Sequence, residues 1–241
     1  MSIFSKALLN IRLNFRQLVL AQPCVLCGSM SRNGLWCGAC EQALPYLTGP
    51  LCQSCALPIP DGSLCGHCLA HPPRFTRCTA VFAYTFPINK LIQQLKYGNQ
   101  LALADALAKQ LVRRIDLTNL PDCLIAMPLH ANKLQYRGYN QALLLSKRLA
   151  RELNIELLAH ACQRVRDTPS QSAMPFKERG KNMRNAFSCN MDLSGKKVAL
   201  VDDVLTSGAS LNALAQAVQK NGAIEIQTLS LIHISEPTRP Y

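Results

Sequence analysis

Two sets of side chains in this sequence carry chemistry by type and spacing. The first is cysteine. Cys24-x-x-Cys27 and Cys37-x-x-Cys40 stand nine residues apart, and Cys52-x-x-Cys55 and Cys65-x-x-Cys68 repeat that spacing 28 residues later. A Cys-x-x-Cys knuckle bends back so that both sulfurs reach one ion. Two knuckles supply the four thiolates that tetrahedral zinc takes, with no position left open for catalysis. The spacing predicts two structural zinc ions. Sequential pairing of the knuckles is simplest, and an interleaved pairing satisfies the same spacing; the rival chemistries are an iron–sulfur cluster and redox pairs. His67 and His71 lie close by, but eight sulfurs already complete two sites.

The second set follows an apolar run, Lys197 to Val201. Asp202 and Asp203 end the run, Thr206-Ser207-Gly208-Ala209-Ser210 follow, and Ala209–Lys220 has the apolar period of a helix. Small residues let backbone N–H groups approach an anion, hydroxyls add donors, and the dipole of the following helix favours negative charge. The paired carboxylates can accept hydrogen bonds from a sugar diol. An ordinary strand–turn–helix needs less polarity than this.

A third segment, Arg137-Gly138-Tyr139-Asn140-Gln141, leads from a loop after Pro128 into a helix starting near Asn140. Arg137 can grip phosphate oxygens in a bidentate way, and Gly138 permits close approach. Residues 129–190 hold 11 Lys/Arg against four Asp/Glu, so much of the net charge of +12 is concentrated there. Such a basic stretch suits phosphate esters and nucleic acid alike.

These residues need a scaffold. At 241 residues of ordinary apolar content, the chain can bury a sizeable core. Residues 1–20 place Phe4, Leu8, Ile11, Phe15 and Leu18 on one helical face with only positive charges around them. That amphipathic helix suits packing on the body, a partner or a membrane surface. No run of about 20 apolar residues is long enough to span a bilayer, and Arg12 and Arg16 interrupt any signal-peptide core. Residues 21–72 form the cysteine module, a segment so short, with Trp36 its only large aromatic besides Tyr46, that it has almost no core of its own and metal binding is expected to supply its folding energy.

From residue 76 the texture is α/β. Strands are expected at Cys78–Thr85, Cys123–Met127, within Ile155–Arg164 and at Lys197–Val201; helices are expected at Ile88–Tyr97, Leu101–Ile115, Tyr139–Leu153 and Ala209–Lys220. Residues 165–187 read as a mobile basic loop. Alternating strands and helices imply a mostly parallel sheet with helices on both faces and ligands at the carboxyl ends of the strands. Cys78, Cys123, Cys162 and Cys189 fall outside the knuckles and read as reduced buried thiols, which points to a reducing compartment.

The Asp202–Ser210 segment resembles the 5-phosphoribosyl-1-pyrophosphate (PRPP) loop of type I phosphoribosyltransferases. The double cysteine module, Leu91–Tyr97, Arg137–Gln141, Thr168 through Phe187, and Asp202–Ser210 come in the order that resembles the ComF family, including its GntX-like branch. The resemblance covers about residues 24–228. It implies a phosphoribosyltransferase-like domain over residues 76–228 in a cytoplasmic protein linked to competence and to nucleoside metabolism. Asp202 and Asp203 match the acidic pair that holds the ribose hydroxyls. Thr206, Ser207, Gly208, Ala209 and Ser210 match the 5-phosphate cradle, with Ala209 where a hydroxyl residue is common. Arg137, Gly138, Asn140 and Gln141 match a signature near pyrophosphate, and Thr168–Arg184 matches a flexible lid. PRPP with Mg²⁺ is the implied ligand. Single-stranded DNA and competence-machinery proteins at the inner membrane face are the implied partners. No acceptor-reading residue stands out, so binding is better supported than turnover.

The last residues read differently. Leu229 to Arg239 equals, in one frame, the translation of a transposase-based sequencing adapter. The expectation is that residues 229–241 are not native and that the natural coding sequence is interrupted at about Thr228.

Overall fold

The computed structural model describes residues 21–32, 34–61, 63–167, 183 and 185–234. The helix expected over residues 1–20, the lid residues 168–182 and 184, and residues 235–241 lie outside the described residues. The chain forms two compact units that part between Leu44 and Pro45.

In the smaller unit, β1 (Gln22–Pro23) pairs antiparallel with β2 (Met30–Ser31), and α1 (Gly38–Gln42) follows. Gly28 adopts φ 76° and donates its N–H to the Cys24 carbonyl at 2.8 Å, which closes the first knuckle. Only glycine takes that left-handed conformation at no steric cost. Trp36 is buried, and the Ser31 hydroxyl lies 2.8 Å from both the Gly34 and Trp36 carbonyls.

The larger unit opens with α2 (Gly66–Ala70), then β3 (Arg77–Ala83), α3 (Ile88–Tyr97) and α4 (Ala102–Val112). Next come β4 (Cys123–Ala126), α5 (Ala131–Arg137), α6 (Gln141–Leu153), β5 (Glu156–Leu157), β6 (Cys162–Arg164) and β7 (Phe187–Cys189). The chain continues with β8 (Lys197–Leu205), α7 (Ala209–Lys220) and β9 (Glu225–His233). Five strands form one sheet in the order β3-β9-β8-β4-β5, and every pairing in it is parallel. Central β8 is covered on both faces, so Val198, Ala199, Leu200 and Val201 are all buried and read as one apolar run.

Right-handed crossovers decide which face each helix covers. The steps from β3 to β4 and from β4 to β5 run toward one edge and put α3, α4 and α6 on one face. The return steps to β8 and β9 put the β6–β7 hairpin and α7 on the other. Contacts agree: α4 packs on α6, β3 and β9, while α7 packs on β7, β8 and β9. Adjacent β4 and β8 therefore send their chains to opposite faces, the switch point at which open parallel sheets place ligands beyond their carboxyl ends.

Three local expectations change. The loop expected after Pro128 contains a helix, α5, because His130 caps its start and Gly138, at φ 77°, ends it in the left-handed conformation. The strand expected within Ile155–Arg164 divides into β5, which joins the main sheet, and β6, which pairs with β7. And β8 does not stop before the acidic pair. It runs to Leu205, with Asp202 opposite Ser230 and Leu205 opposite His233. β9 supplies this extra ladder through residues 229–233, the start of the adapter-like tail.

Candidate functional site

β8 carries the acidic pair to that switch point, and α7 begins just beyond it. Asp202 and Asp203 line a cleft of about 380 Å³ with Lys96, Tyr97, Thr206, Gly208, Ala209 and Ser210. Gly208 takes φ 71° where the chain turns into α7. A side chain there would be strained in that conformation. The first N–H groups of α7 have no intrahelical acceptors and border this cleft. On the other side of the same loop lies a larger hollow of about 830 Å³, lined by Leu57, His67, His71, Pro72 and Phe75 among others.

The carboxylates have distinct neighbours. Asp203 is buried and its Oδ2 lies 2.7 Å from Lys96 Nζ. Asp202 Oδ1 accepts from the Asp203 N–H at 2.9 Å. Loss of hydration on the cleft floor, followed by the nearby Asp203 charge, pushes the Asp202 carboxyl up to about 8, against a smaller opposing pull from Lys96. Burial depresses the Arg164 guanidinium, which Asp202 and Asp167 partly offset.

α3 and α5 meet at one aromatic ring. Arg137 lies over the Tyr97 ring at 5.0 Å, donates through Nη2 to the Tyr97 hydroxyl at 3.1 Å, and through Nη1 to Gln141 Oε1 at 3.2 Å. Tyr139 ties this corner down by donating to the Leu95 carbonyl at 2.6 Å. Burial first, then the cations of Arg164 and Arg137, depress the Lys133 ammonium. Lys133, Arg137 and Arg164 thus form a positive group beside the carboxylates.

The residues singled out from the sequence therefore divide. Asp202, Asp203, Thr206, Gly208, Ala209 and Ser210 share one cleft; Arg137 does not line it but packs on Tyr97, which does, and Gln141 is buried behind Arg137 as its hydrogen-bond acceptor. Ser207 turns away to accept from the Ala209 N–H at 3.4 Å and lines the larger hollow instead. Asn140 is committed to structure: its Oδ1 caps α6 at the Leu143 N–H and its Nδ2 donates to the Met127 carbonyl at 3.0 Å. Gly138 is required by its φ rather than by close approach, since an added Cβ would meet nothing within 4 Å. Lys96, Lys133 and Arg164 are the additions. Lys96 lies within the Leu91–Tyr97 segment, but helical periodicity marks only the buried positions Leu91, Ile92 and Leu95 beside it.

The eight knuckle sulfurs group sequentially, not interleaved. Cys24, Cys27, Cys37 and Cys40 form one set and Cys52, Cys55, Cys65 and Cys68 the other, each with all sulfurs within 4.8 Å of one another. Cys27 and Cys37 sulfurs are 3.8 Å apart and those of Cys55 and Cys65 3.7 Å. A tetrahedral zinc with bonds of about 2.3 Å needs sulfurs at about that separation. In each set a backbone N–H also points at the first sulfur: Cys37 to Cys24 and Cys65 to Cys52, both at 3.3 Å. Both sets fit one tetrahedral ion each. Among the described residues no other such group of metal-ligating side chains occurs.

Comparison with known proteins accords with this arrangement. A double zinc ribbon domain matches residues 15–69 and a phosphoribosyl transferase domain matches residues 140–240. A purine phosphoribosyltransferase structure from Pyrococcus horikoshii overlays with TM-score 0.32 at 20% identity, covering 63% of this chain and 91% of that one. DNA utilization protein YhgH of Escherichia coli K12 is 34% identical over 217 residues, which cover 86% of this chain and 95% of that protein. Competence protein F of Haemophilus influenzae is 34% identical over 212 residues, covering 84% of this chain and 91% of that protein. With 86% of its length aligned at 34% identity to DNA utilization protein YhgH and 84% to competence protein F, the chain belongs to the ComF family of DNA utilization and competence proteins.

Proposed function

We propose that the chain binds PRPP with Mg²⁺ in the cleft at the end of β8, and that this binding serves the use of external DNA. The observation that carries the reading is convergence. A carboxylate pair and the glycine turn opening helix α7 line one cleft at the end of β8, and Arg137 packs over Tyr97, which lines that cleft too. Asp202 and Asp203 would take the ribose hydroxyls. The Thr206–Ser210 turn and the start of α7 would take the 5-phosphate. Arg137, held against Tyr97, would face the pyrophosphate, whose charge Mg²⁺ would neutralise. Catalysis of a transfer from such a ligand would rest on positioning and charge stabilisation. Zinc in the two four-cysteine sets is structural. A cytoplasmic location, a role in nucleoside metabolism and contact with competence proteins at the inner membrane face belong to the same reading; the names of the relatives support only its link to DNA utilization and competence.

Calorimetric titration of PRPP with Mg²⁺ tests it. The wild type is expected to bind, and the Asp202→Asn/Asp203→Asn double variant to lose at least about tenfold in affinity, the scale of one lost charge-assisted hydrogen bond. No heat from the wild type would remove the reading.

Single-stranded DNA binding is the second reading. Tyr136 is 84% exposed and Tyr97 63%, and both flank Arg137. Exposed aromatic rings among cations suit base stacking beside a phosphate backbone. Affinity for an oligonucleotide should then fall steeply with salt, and a flat salt dependence would argue against it.

A further inference from the structure

The ion pair between Lys96 and Asp203 raises a question of purpose. Its side chains are 22% and 12% exposed, so both charges have lost most of their water. A buried ion pair is a weak source of stability, because desolvation offsets most of the Coulomb gain. This pair also lies at the carboxyl edge of the sheet, where both residues line the cleft. Lys96 is held on several sides. The next residue, Tyr97, is fixed by Arg137, and the preceding Leu95 carbonyl accepts the Tyr139 hydroxyl.

Charge counting gives the pair a task. Two bare carboxylates beside an anion cradle would repel a ligand that carries several phosphate charges. Loss of hydration and the adjacent Asp203 charge push the Asp202 carboxyl up, which weakens its negative charge. The charge of Asp203 is matched by Lys96 at 2.7 Å. The diol site is therefore less negative than two bare carboxylates would make it where the ligand's phosphates approach.

We infer that Lys96 is a ligand-positioning residue: its ammonium fixes the Asp203 carboxylate as an acceptor for a sugar hydroxyl and cancels its repulsion of the phosphates. This rests on the PRPP reading above and adds to it a residue outside the acidic pair and the phosphate loop.

The experiment is a double-mutant cycle, with PRPP and Mg²⁺ titrated into wild type, Lys96→Met, Lys96→Arg, Asp203→Asn and Lys96→Met/Asp203→Asn. Lys96→Met should lose about tenfold or more in affinity, and Lys96→Arg should recover most of it. The double variant should bind no worse than Asp203→Asn alone, because the charge that Lys96 balances is gone. A purely structural role predicts something else: additive losses, no rescue by arginine, and a fall in Tm that parallels the fall in affinity. Either that pattern or a Lys96→Met affinity within about twofold of wild type overturns the role of Lys96 and leaves the PRPP reading standing. A wild type that fails to bind PRPP removes both.

Discussion

At the residue scale, the acidic pair is two different carboxylates. Asp203 has a cation at 2.7 Å, while Asp202 sits where hydration is lost and a like charge is adjacent. The sign of the consequence follows from proton counting. Asp202 is raised from its ordinary 3.8 to about 8, so the folded state holds a proton that the unfolded chain releases above about pH 4. This contribution to stability is full below pH 4 and is lost as pH rises through 8. Asp202→Asn should therefore flatten the fall in stability between pH 5 and 8, raising stability relative to wild type more at pH 8 than at pH 5. Urea denaturation at the two pH values checks this, and an equal effect at both would contradict it. Asn140 teaches the complementary lesson. Its signature position suggested a ligand contact, yet its amide is spent on capping α6 and holding the Met127 carbonyl.

At the element scale, β9 is the informative strand. It lies between β3 and β8 and is buried along nearly its whole length. The adapter-like residues Leu229, Leu231 and Ile232 satisfy such a place because they are apolar and the ladder is made by backbone groups common to all residues. His233 does not satisfy it. It is 5% exposed, its Nδ1 has no hydrogen-bond partner among the described residues, and burial alone pushes its imidazole down to about 4. His233 is the last residue of β9 and lines the larger hollow; an unpartnered polar group there is a local conflict that a selected sequence avoids unless it serves a site. We expect the native codons to differ after Thr228, as the adapter match suggests. Sequencing the locus from an unfragmented clone checks this, and the same codons in the genome would refute it. In the present chain, His233→Leu should raise stability by about 1 kcal/mol in urea titration, since it removes the orphaned nitrogen.

At the scale of the whole molecule, the two four-cysteine sets share one spacing but not one setting. The first belongs to the smaller unit. The second is built into the larger one: the Cys78 N–H donates to the Gln53 carbonyl at 2.8 Å, and Ala56 belongs to the main hydrophobic core. Metal analysis should return two zinc ions per chain. Cys52→Ser should lower the Tm of the larger unit by about 5 °C or more, because the knuckle it opens is joined to β3. Cys24→Ser should release one zinc and leave that transition near its wild-type value. Equal effects of the two substitutions would show that the sets do not differ in this way.

The sequence by itself determined what is local. The repeat of Cys-x-x-Cys marked two four-sulfur sites, because knuckle geometry depends on neighbours in the chain. Alternating apolar runs and 3.6-residue periods fixed most helices and the buried strands. Asp-Asp followed by Thr-Ser-Gly marked the phosphate-type turn. Tertiary structure decided what distance in the chain conceals. It set the strand order that places β4 beside β8 and makes the switch point there. It extended β8 through the acidic pair by giving it β9 as a partner. It brought Lys96, 107 positions away in the chain, to within 2.7 Å of Asp203, a pairing that no period or motif encodes because it depends on how α3 packs against the end of a strand.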